Sequence, residues 1–203
     1  MDGYDALILA GGRASRLGGR DKAVLTVGGV PLIERVAAAV PDAGRLIVVG
    51  PGRPGLDRAL FLQEDPPGGG PVPALRAGLE RVRAPWVALL ATDLPYLSAD
   101  HLSALFGAAG AVTDPETAGP SGVAAGGDVP EAAGAVLVDD DGRMQWLAGV
   151  WRTAALTGAL AAYDGRSLHG LLAPLDPVPL RLDGKPWFDC DTMDDLERAR
   201  SGK

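Results

Sequence analysis

The chain of 203 residues is poor in cysteine, histidine, lysine and aromatic residues. Its single cysteine, Cys190, excludes an internal disulfide, and with only two histidines beside it we expect no zinc site. No apolar run approaches the ~18 residues of a membrane span, and no apolar leader precedes the first expected strand. We therefore expect a cytoplasmic protein that does not bind membranes.

The formal net charge of −7 argues against binding to nucleic acid, because such binding requires a surplus of Lys and Arg. The charge is unevenly placed, however. Residues 1–62 hold eight basic and six acidic side chains, whereas residues 63–203 hold eleven and twenty. Four basic residues crowd into one ten-residue stretch, namely Arg13, Arg16, Arg20 and Lys22. The basic charge is therefore concentrated where it could hold a phosphate group.

Short apolar runs alternate with amphipathic segments, a pattern that predicts an α/β fold. The runs are continuously apolar, as in strands of a mostly parallel sheet that is covered by helices on both faces. We predict strands at 5–9, 46–49, 59–62, 86–90, 135–138, 147–151 and 178–182. We predict helices that begin near Pro31, before Leu75, after Ser98, and at Thr153, Ser167 and Met193.

We therefore expect one Rossmann-like domain over residues 1–203, with three α/β/α layers. Residues 114–133 are rich in Gly, Pro and Ala and are expected to form a flexible loop. The sequence DDDG at 139–142 predicts a hairpin turn between two strands.

The connection after the first strand, Ala10–Lys22, is long for a compact domain and therefore typical of a functional loop. It matches neither a Walker A loop nor a dinucleotide-binding loop, because no glycine precedes Lys22 and the glycine spacing differs. Its glycines allow backbone N–H groups to approach an anion, while Ser15, Arg16 and Lys22 supply a hydroxyl and two cations. We favour a polyphosphate site here over a solvated surface loop.

The stretch from Leu9 to Lys22, LAGGRASRLGGRDK, resembles the signature of the MobA-type nucleotidyltransferases, the molybdenum cofactor guanylyltransferases. Similar segments follow in order, namely VGGVPLIE at 27–34, Glu64-Asp65 before a GGP loop, TDLPYL at 92–97 and DCDTMDDL at 189–196. The resemblance spans nearly the whole chain. It implies a fold of the nucleotide-diphospho-sugar transferase type and Mg²⁺-dependent transfer of GMP from GTP to the phosphate of molybdopterin, with release of pyrophosphate.

The resemblance also implies roles for individual residues in nucleotide binding. The first loop would hold the nucleotide through Leu9, Ala10, Gly11, Gly12, Ser15, Arg16 and Lys22. Arg16 and Lys22 would act in catalysis by neutralising the triphosphate and the leaving pyrophosphate. Asp65 would accept hydrogen bonds from guanine N–H groups, although an aspartate before proline is also common where a loop begins.

Asp93 and Asp191 are the metal ligands that we expect, and Asp93 also counts among the catalytic and nucleotide-binding residues. Asp93 follows an apolar strand, where a carboxylate is either a metal ligand or the cap of a turn. Asp189 and Asp191 stand where the family carries asparagines, and they either complete the metal site or begin the last helix. Of these two we favour Asp191 as the ligand.

The implied partners are small molecules: GTP, and molybdopterin or its molybdenum-loaded form. Transient contacts with molybdoenzymes or chaperones that receive the cofactor are also implied. Trp146 and Trp151 lie in the region expected to shape the acceptor side, where they either stack on a pterin or pack in a β-layer.

Two departures keep other functions open. Asp189 replaces an asparagine, and Pro73 and Ala74 stand where the family's G-P-L-A-G loop has Ala and Gly. The alternatives are a same-fold enzyme that uses another base or acceptor, such as CTP with molybdopterin or a sugar phosphate, and a non-catalytic nucleotide-binding module.

Overall fold

The structure is a computed structural model that describes residues 3–11, 21–110 and 132–201. Its strands are β1 (Tyr4–Leu9), β2 (Thr26–Val27), β3 (Val30–Pro31), β4 (Leu46–Val49), β5 (Ala59–Leu62), β6 (Trp86–Ala91), β7 (Gly134–Val138), β8 (Met144–Arg152) and β9 (Val178–Leu180). Its α-helices are α1 (Leu32–Ala38), α2 (Pro71–Leu79), α3 (Ala99–Ala108), α4 (Thr153–Ala161), α5 (Leu168–Leu172) and α6 (Met193–Ser201). Short 3₁₀ helices cover Lys22–Val24 and Ala173–Leu175.

Seven of these strands form one central sheet in the order β5-β4-β1-β6-β8-β7-β9, while β2 and β3 form a separate hairpin. Strands β5, β4, β1 and β6 are parallel, and β8 runs antiparallel to both β6 and β7. The register between β7 and β8 shifts between Val136 and Leu137. The shift indicates a bulge in β8, because Val136 pairs with Gly149 and Leu137 pairs with Gln145.

The apolar strands are explained by burial on both faces of the sheet. In β1, Ala6 and Ile8 face one core cluster, whereas Leu7 and Leu9 face the other. The first cluster includes buried residues of α1 and α3, and the second includes those of α2, α4 and α5. This arrangement makes the three α/β/α layers.

The fold class and the mostly parallel sheet expected from the sequence are confirmed. Strand β8 begins at Met144, three residues before its predicted start, and β9 ends two residues early at Leu180. Most of the expected flexible loop, residues 114–131, lies outside the described residues. At its end, the carbonyl oxygen of Ala133 accepts a hydrogen bond from the N–H of Arg152 at 2.9 Å. Within the described ranges, no helix has the length and apolar character to cross a membrane.

The order of the strands reverses between β1 and β6. From β1 the chain moves outward to β4 and β5, and then returns to the other side of β1 as β6. In open α/β sheets, ligands bind in the crevice outside the carboxyl ends of the strands at such a reversal. The residues that follow β1 and β6 are therefore the first place to look for a site.

A close approach of two strands at Gly149 gives a test of this sheet. A Cβ at Gly149 would lie 2.7 Å from the carbonyl oxygen of Ala135 and 2.7 Å from Cγ1 of Val136. We expect Gly149→Ala to lower the free energy of unfolding by about 1–3 kcal/mol, because the extra methyl group overpacks the pair β7–β8. Urea denaturation followed by circular dichroism measures the change.

The matched control is Gly158→Ala in α4, because a Cβ at Gly158 meets nothing within 4 Å. Alanine is the better helix former, so this variant should be as stable as the wild type or more stable by up to about 1 kcal/mol. Equal effects of the two substitutions would contradict the strand register described here.

Candidate active site at the carboxyl ends of β1 and β6

Lys22 lies at the centre of an ion-pair cluster in the crevice between β1 and β6. Its ammonium group contacts the carboxylate of Asp93 and donates a hydrogen bond to Oδ1 of Asp191 at 2.6 Å. Lys22 is the first residue of a 3₁₀ helix whose N-cap is Asp21, where Oδ1 accepts the N–H of Ala23 at 3.1 Å. Three distant parts of the chain thus converge on one cation.

Cys190 explains how the last part of the chain reaches this crevice. Its side chain is fully buried in a small cluster with Leu32 and Leu196, and its N–H donates to the carbonyl oxygen of Asp93 at 3.2 Å. This bond fixes the segment against the end of β6. The flanking residues Asp189 and Asp191 then place their carboxylates beside that of Asp93.

The start of α6 holds the same segment from the other side. The Thr192 hydroxyl donates to Oδ2 of Asp195 at 2.6 Å and accepts the N–H of Asp195 at 3.1 Å. The N–H of Thr192 also donates to Oδ2 of Asp195 at 2.9 Å, which completes a reciprocal capping box.

Oxygen atoms of Asp93, Asp189 and Asp191 lie within 4.8 Å of one another. Asp93 is buried, whereas Asp189 and Asp191 are exposed to solvent. Carboxylate oxygens are the ligands that Mg²⁺ takes from proteins, usually from one or two residues with water completing the shell. Three carboxylates beside one ammonium leave two uncompensated negative charges, so the donor set and its charge fit a divalent cation.

Burial and the charges in the cluster shift the pKa values of two of its members. Burial lowers the pKa of Lys22, but the carboxylates of Asp93 and Asp191 more than offset that effect, and the net shift is upward. Desolvation, followed by repulsion from Asp191 and Asp93, raises the pKa of Asp189 to about 6, while Lys22 lowers it. The ammonium therefore keeps its charge at neutral pH.

The remaining residues expected to bind nucleotide lie around the same edge or outside the described residues. Leu9 and Ala10 are buried at the end of β1, and Gly11 is exposed beyond them. The N–H of Ala10 donates to the carbonyl oxygen of Val49 at 2.7 Å, which fixes the start of the loop. Gly12, Ser15 and Arg16 lie outside the described residues, so their expected roles stay predictions.

Asp65 and Glu64 differ in a way that the sequence does not reveal. Asp65 is exposed and lines a groove of about 880 Å³ between α2 and residues 163–166. Glu64 is buried, and its Oε1 accepts the N–H of Gly68 at 2.9 Å. The same oxygen lies 3.9 Å from the position of a Cβ on Gly11. Glu64 thus stabilises the loop after β5 and lies near Gly11, at the start of the loop after β1. Its burial was not predicted, although the Glu64-Asp65 pair is part of the sequence motif.

The two tryptophans of the acceptor region occupy different environments. Trp151 is fully buried in the second core cluster, and its Nε1 has no hydrogen-bond partner among the described residues. Trp146 is half-buried in the bulge of β8 and makes an edge contact with His169, with ring centroids 5.5 Å apart. Packing is therefore the role of Trp151, while Trp146 retains an exposed part.

A family model described as "MobA-like NTP transferase domain" matches residues 6–178 of the chain. The chain belongs to this family. This MobA-like domain is 31% identical over 202 residues to a molybdenum cofactor guanylyltransferase of Rhodobacter capsulatus, a match that covers 95% of this chain and 93% of that protein. The resemblance drawn from the sequence motifs is thus confirmed, and the protein is a nucleotidyltransferase.

Solved structures show the same fold. A molybdopterin-guanine dinucleotide biosynthesis protein A from Archaeoglobus fulgidus superposes with a TM-score of 0.66 at 20% identity, covering 97% of both chains. A 2-C-methyl-D-erythritol 4-phosphate cytidylyltransferase from Thermus thermophilus superposes with a TM-score of 0.68 at 20% identity, covering 98% of both chains. The second protein is named for cytidylyl transfer, so this fold occurs in proteins with different named activities.

The burial of Cys190 gives a test of how Asp189 and Asp191 are held. Burial, followed by the negative charge of Asp93, raises the pKa of the Cys190 thiol to about 12. We expect the folded protein to show no reaction with Ellman's reagent at pH 8 and the urea-unfolded chain to show one reactive thiol, the only one it has. Equally fast reaction in both states would contradict the placement of residues 189–191.

Proposed function

We propose that the protein transfers GMP from GTP to the phosphate of molybdopterin, with Mg²⁺ as the metal and pyrophosphate as the second product. The observation that carries this proposal is the cluster of Lys22 with Asp93, Asp189 and Asp191 at the reversal of the strand order. The name of the Rhodobacter capsulatus relative supports the choice of guanylyl transfer and of the molybdenum cofactor.

The reaction needs no nucleophile from the protein. An oxygen of the acceptor phosphate attacks the α-phosphorus of GTP, and the bond between that phosphorus and the bridging oxygen to the β-phosphorus breaks. Pyrophosphate leaves with the electron pair of that bond. Catalysis of such a displacement consists of positioning the two phosphates and stabilising the charge that develops.

Lys22 and the carboxylates would have different roles in this reaction because their charges are opposite. Asp93 and Asp191, with Asp189 beside them, are the residues that would hold Mg²⁺, which when bound neutralises phosphate oxygens. Lys22 carries a compact positive charge at the same edge and would neutralise the triphosphate and the departing pyrophosphate. Without these cations the two substrates would repel each other.

Fewer residues are assigned to binding of the base than to binding of the phosphates. An exposed carboxylate such as Asp65 is able to accept hydrogen bonds from guanine N–H groups, and the Gly70–Leu79 region that follows carries Pro73 and Ala74 in place of the family's Ala and Gly. CTP or another acceptor is therefore the alternative that the experiment has to separate from GTP.

The proposal is tested by pyrophosphate release with molybdopterin as acceptor. We expect release with GTP and Mg²⁺, little with CTP or ATP, and none when EDTA removes the metal. Mass spectrometry should show the guanylylated acceptor as the product. Preference for CTP would replace the guanylyl assignment, and the absence of turnover with every nucleotide would favour a non-catalytic nucleotide-binding module.

A pair of lysine variants ties this activity to the described site. Lys22→Gln should lower kcat/KM by about 10²–10³, the usual cost of removing one group that stabilises transition-state charge. Lys185→Gln, at an exposed position, should retain the wild-type rate. Both variants are assayed at saturating Mg²⁺, because removal of Lys22 takes away the positive charge that offsets the carboxylates of the cluster. Equal rates for the two variants would contradict the site.

A further inference from the structure

Arg53 makes a buried bridge between the two described ends of the first loop. Only 6% of its side chain is exposed. Its Nε and Nη2 donate to Oδ2 and Oδ1 of Asp21 at 2.9 and 3.0 Å, which is the bidentate geometry of a strong ion pair. Nη2 also donates to the carbonyl oxygen of Ala10 at 3.3 Å, so one guanidinium contacts the residues on both sides of this loop.

Arg53 is itself held in place by its own segment, which follows β4. Its Nη1 donates to the carbonyl oxygen of Pro51 at 3.0 Å. The preceding Gly50 has a φ of +153°, and a Cβ there would lie 2.8 Å from the carbonyl oxygen of Ala10. A glycine at this position thus lets the chain pass close to Ala10 and deliver Arg53 to it.

The Asp21 carboxylate passes this constraint on to Lys22. Its Oδ1 accepts both Nη2 of Arg53 and the N–H of Ala23, and Asp21 is the N-cap of the 3₁₀ helix that begins at Lys22. Lys22 in turn contacts Asp93 and Asp191. Ion pairs on either side of the peptide bond between Asp21 and Lys22 therefore connect Arg53 to the acidic cluster.

Arg53 also changes the charge that a phosphate group would meet. Asp21 directly precedes Lys22, and an unpaired carboxylate there would repel a triphosphate that approaches the ammonium group. Pairing with a guanidinium cancels that charge. A lysine at position 53 would keep the positive charge but would lack the planar fork that reaches Asp21 and Ala10 together.

We propose that Arg53 is a positioning residue for nucleotidyl transfer, which holds Ala10 and Asp21 so that Lys22 is aligned with the triphosphate. The inference rests on the proposed function for the identity of its substrate, but not for the geometry that carries it. It predicts a specific loss of nucleotide binding, because Arg53 contacts Ala10 and Asp21. The strand that precedes it, β4, is separated by β1 and β6 from β8, which carries the expected acceptor residue Trp146.

The test compares Arg53→Lys with a matched arginine. Arg58 also donates to backbone carbonyl oxygens, namely that of Ala37 in α1 and those of Val40 and Pro41 after it. None of these contacts involves Asp21. We expect Arg53→Lys to raise the KM for GTP by about tenfold or more and to leave the KM for the acceptor within about twofold. Arg58→Lys should leave both KM values within about twofold, whatever its effect on the melting temperature.

A second variant shows whether Arg53 acts through Asp21. Asp21→Asn keeps an oxygen for the helix cap but loses the ion pair. If the two side chains act as a unit, the double variant should have a KM for GTP close to that of the worse single variant. Fully additive increases would overturn the coupling that the proposal requires.

Binding of Mg²⁺-tripolyphosphate, measured by isothermal titration calorimetry, separates this inference from the proposed function. This probe has neither base nor acceptor, so its binding tests the phosphate site whichever nucleotide the enzyme uses. We expect Arg53→Lys to weaken it by about tenfold or more. Equal affinity in wild type and variant, or no binding to the wild type, would overturn the inference; failure of GTP turnover alone would overturn only the guanylyl assignment.

Discussion

The electrostatic attraction between Lys22 and the carboxylates at the end of β6 is the interaction on which the site depends. It brings together a loop after β1, the end of β6 and the segment before α6, which are far apart in the sequence. A different contact holds each member of the cluster. Asp21 caps the 3₁₀ helix that begins at Lys22, and Asp93 follows strand β6. The buried Cys190 positions Asp189 and Asp191. The cluster thus combines like charges that would otherwise repel one another.

Much of the fold could be predicted because it depends on local pattern. Continuous apolar runs located the central strands, and the last helix, α6, begins at Met193 as predicted. The hairpin β2–β3 escaped prediction because its strands have two residues each, too few to show a period. The early start of β8 was missed because a bulge interrupts its pattern at Trp146.

The site was partly predictable for a related reason. Two sequence motifs contain Lys22 and Asp93, and each follows a predicted strand. The reversal of strand order between β1 and β6 brings the two residues together. The contacts of Arg53 and the burial of Glu64 depend on tertiary structure that no local pattern encodes. Arg53 lies 32 residues from Asp21 in the chain, yet their side chains form a bidentate pair. The sequence left open whether Asp189 joins the metal site, and the structure places its carboxylate in the cluster, next to Cys190, whose N–H binds the carbonyl oxygen of Asp93.

The proposed function assigns the phosphates and the base to different parts of the site. Lys22 and the acidic cluster would contact the phosphates that all nucleoside triphosphates share. The loop after β5, with exposed Asp65 and buried Glu64, would then be where the base is selected. Solved structures of the same fold belong to proteins that are named for different activities, so the fold alone does not determine a substrate.

The proposed metal and phosphate site is tested most directly by anomalous diffraction from crystals soaked with Mn²⁺ and GTP. We expect a manganese peak within about 2–2.5 Å of carboxylate oxygens of Asp93 and Asp191, with the triphosphate beside the Lys22 ammonium. A metal bound at another acidic group, such as the turn at residues 139–142, with the Lys22 cluster unchanged, would contradict it.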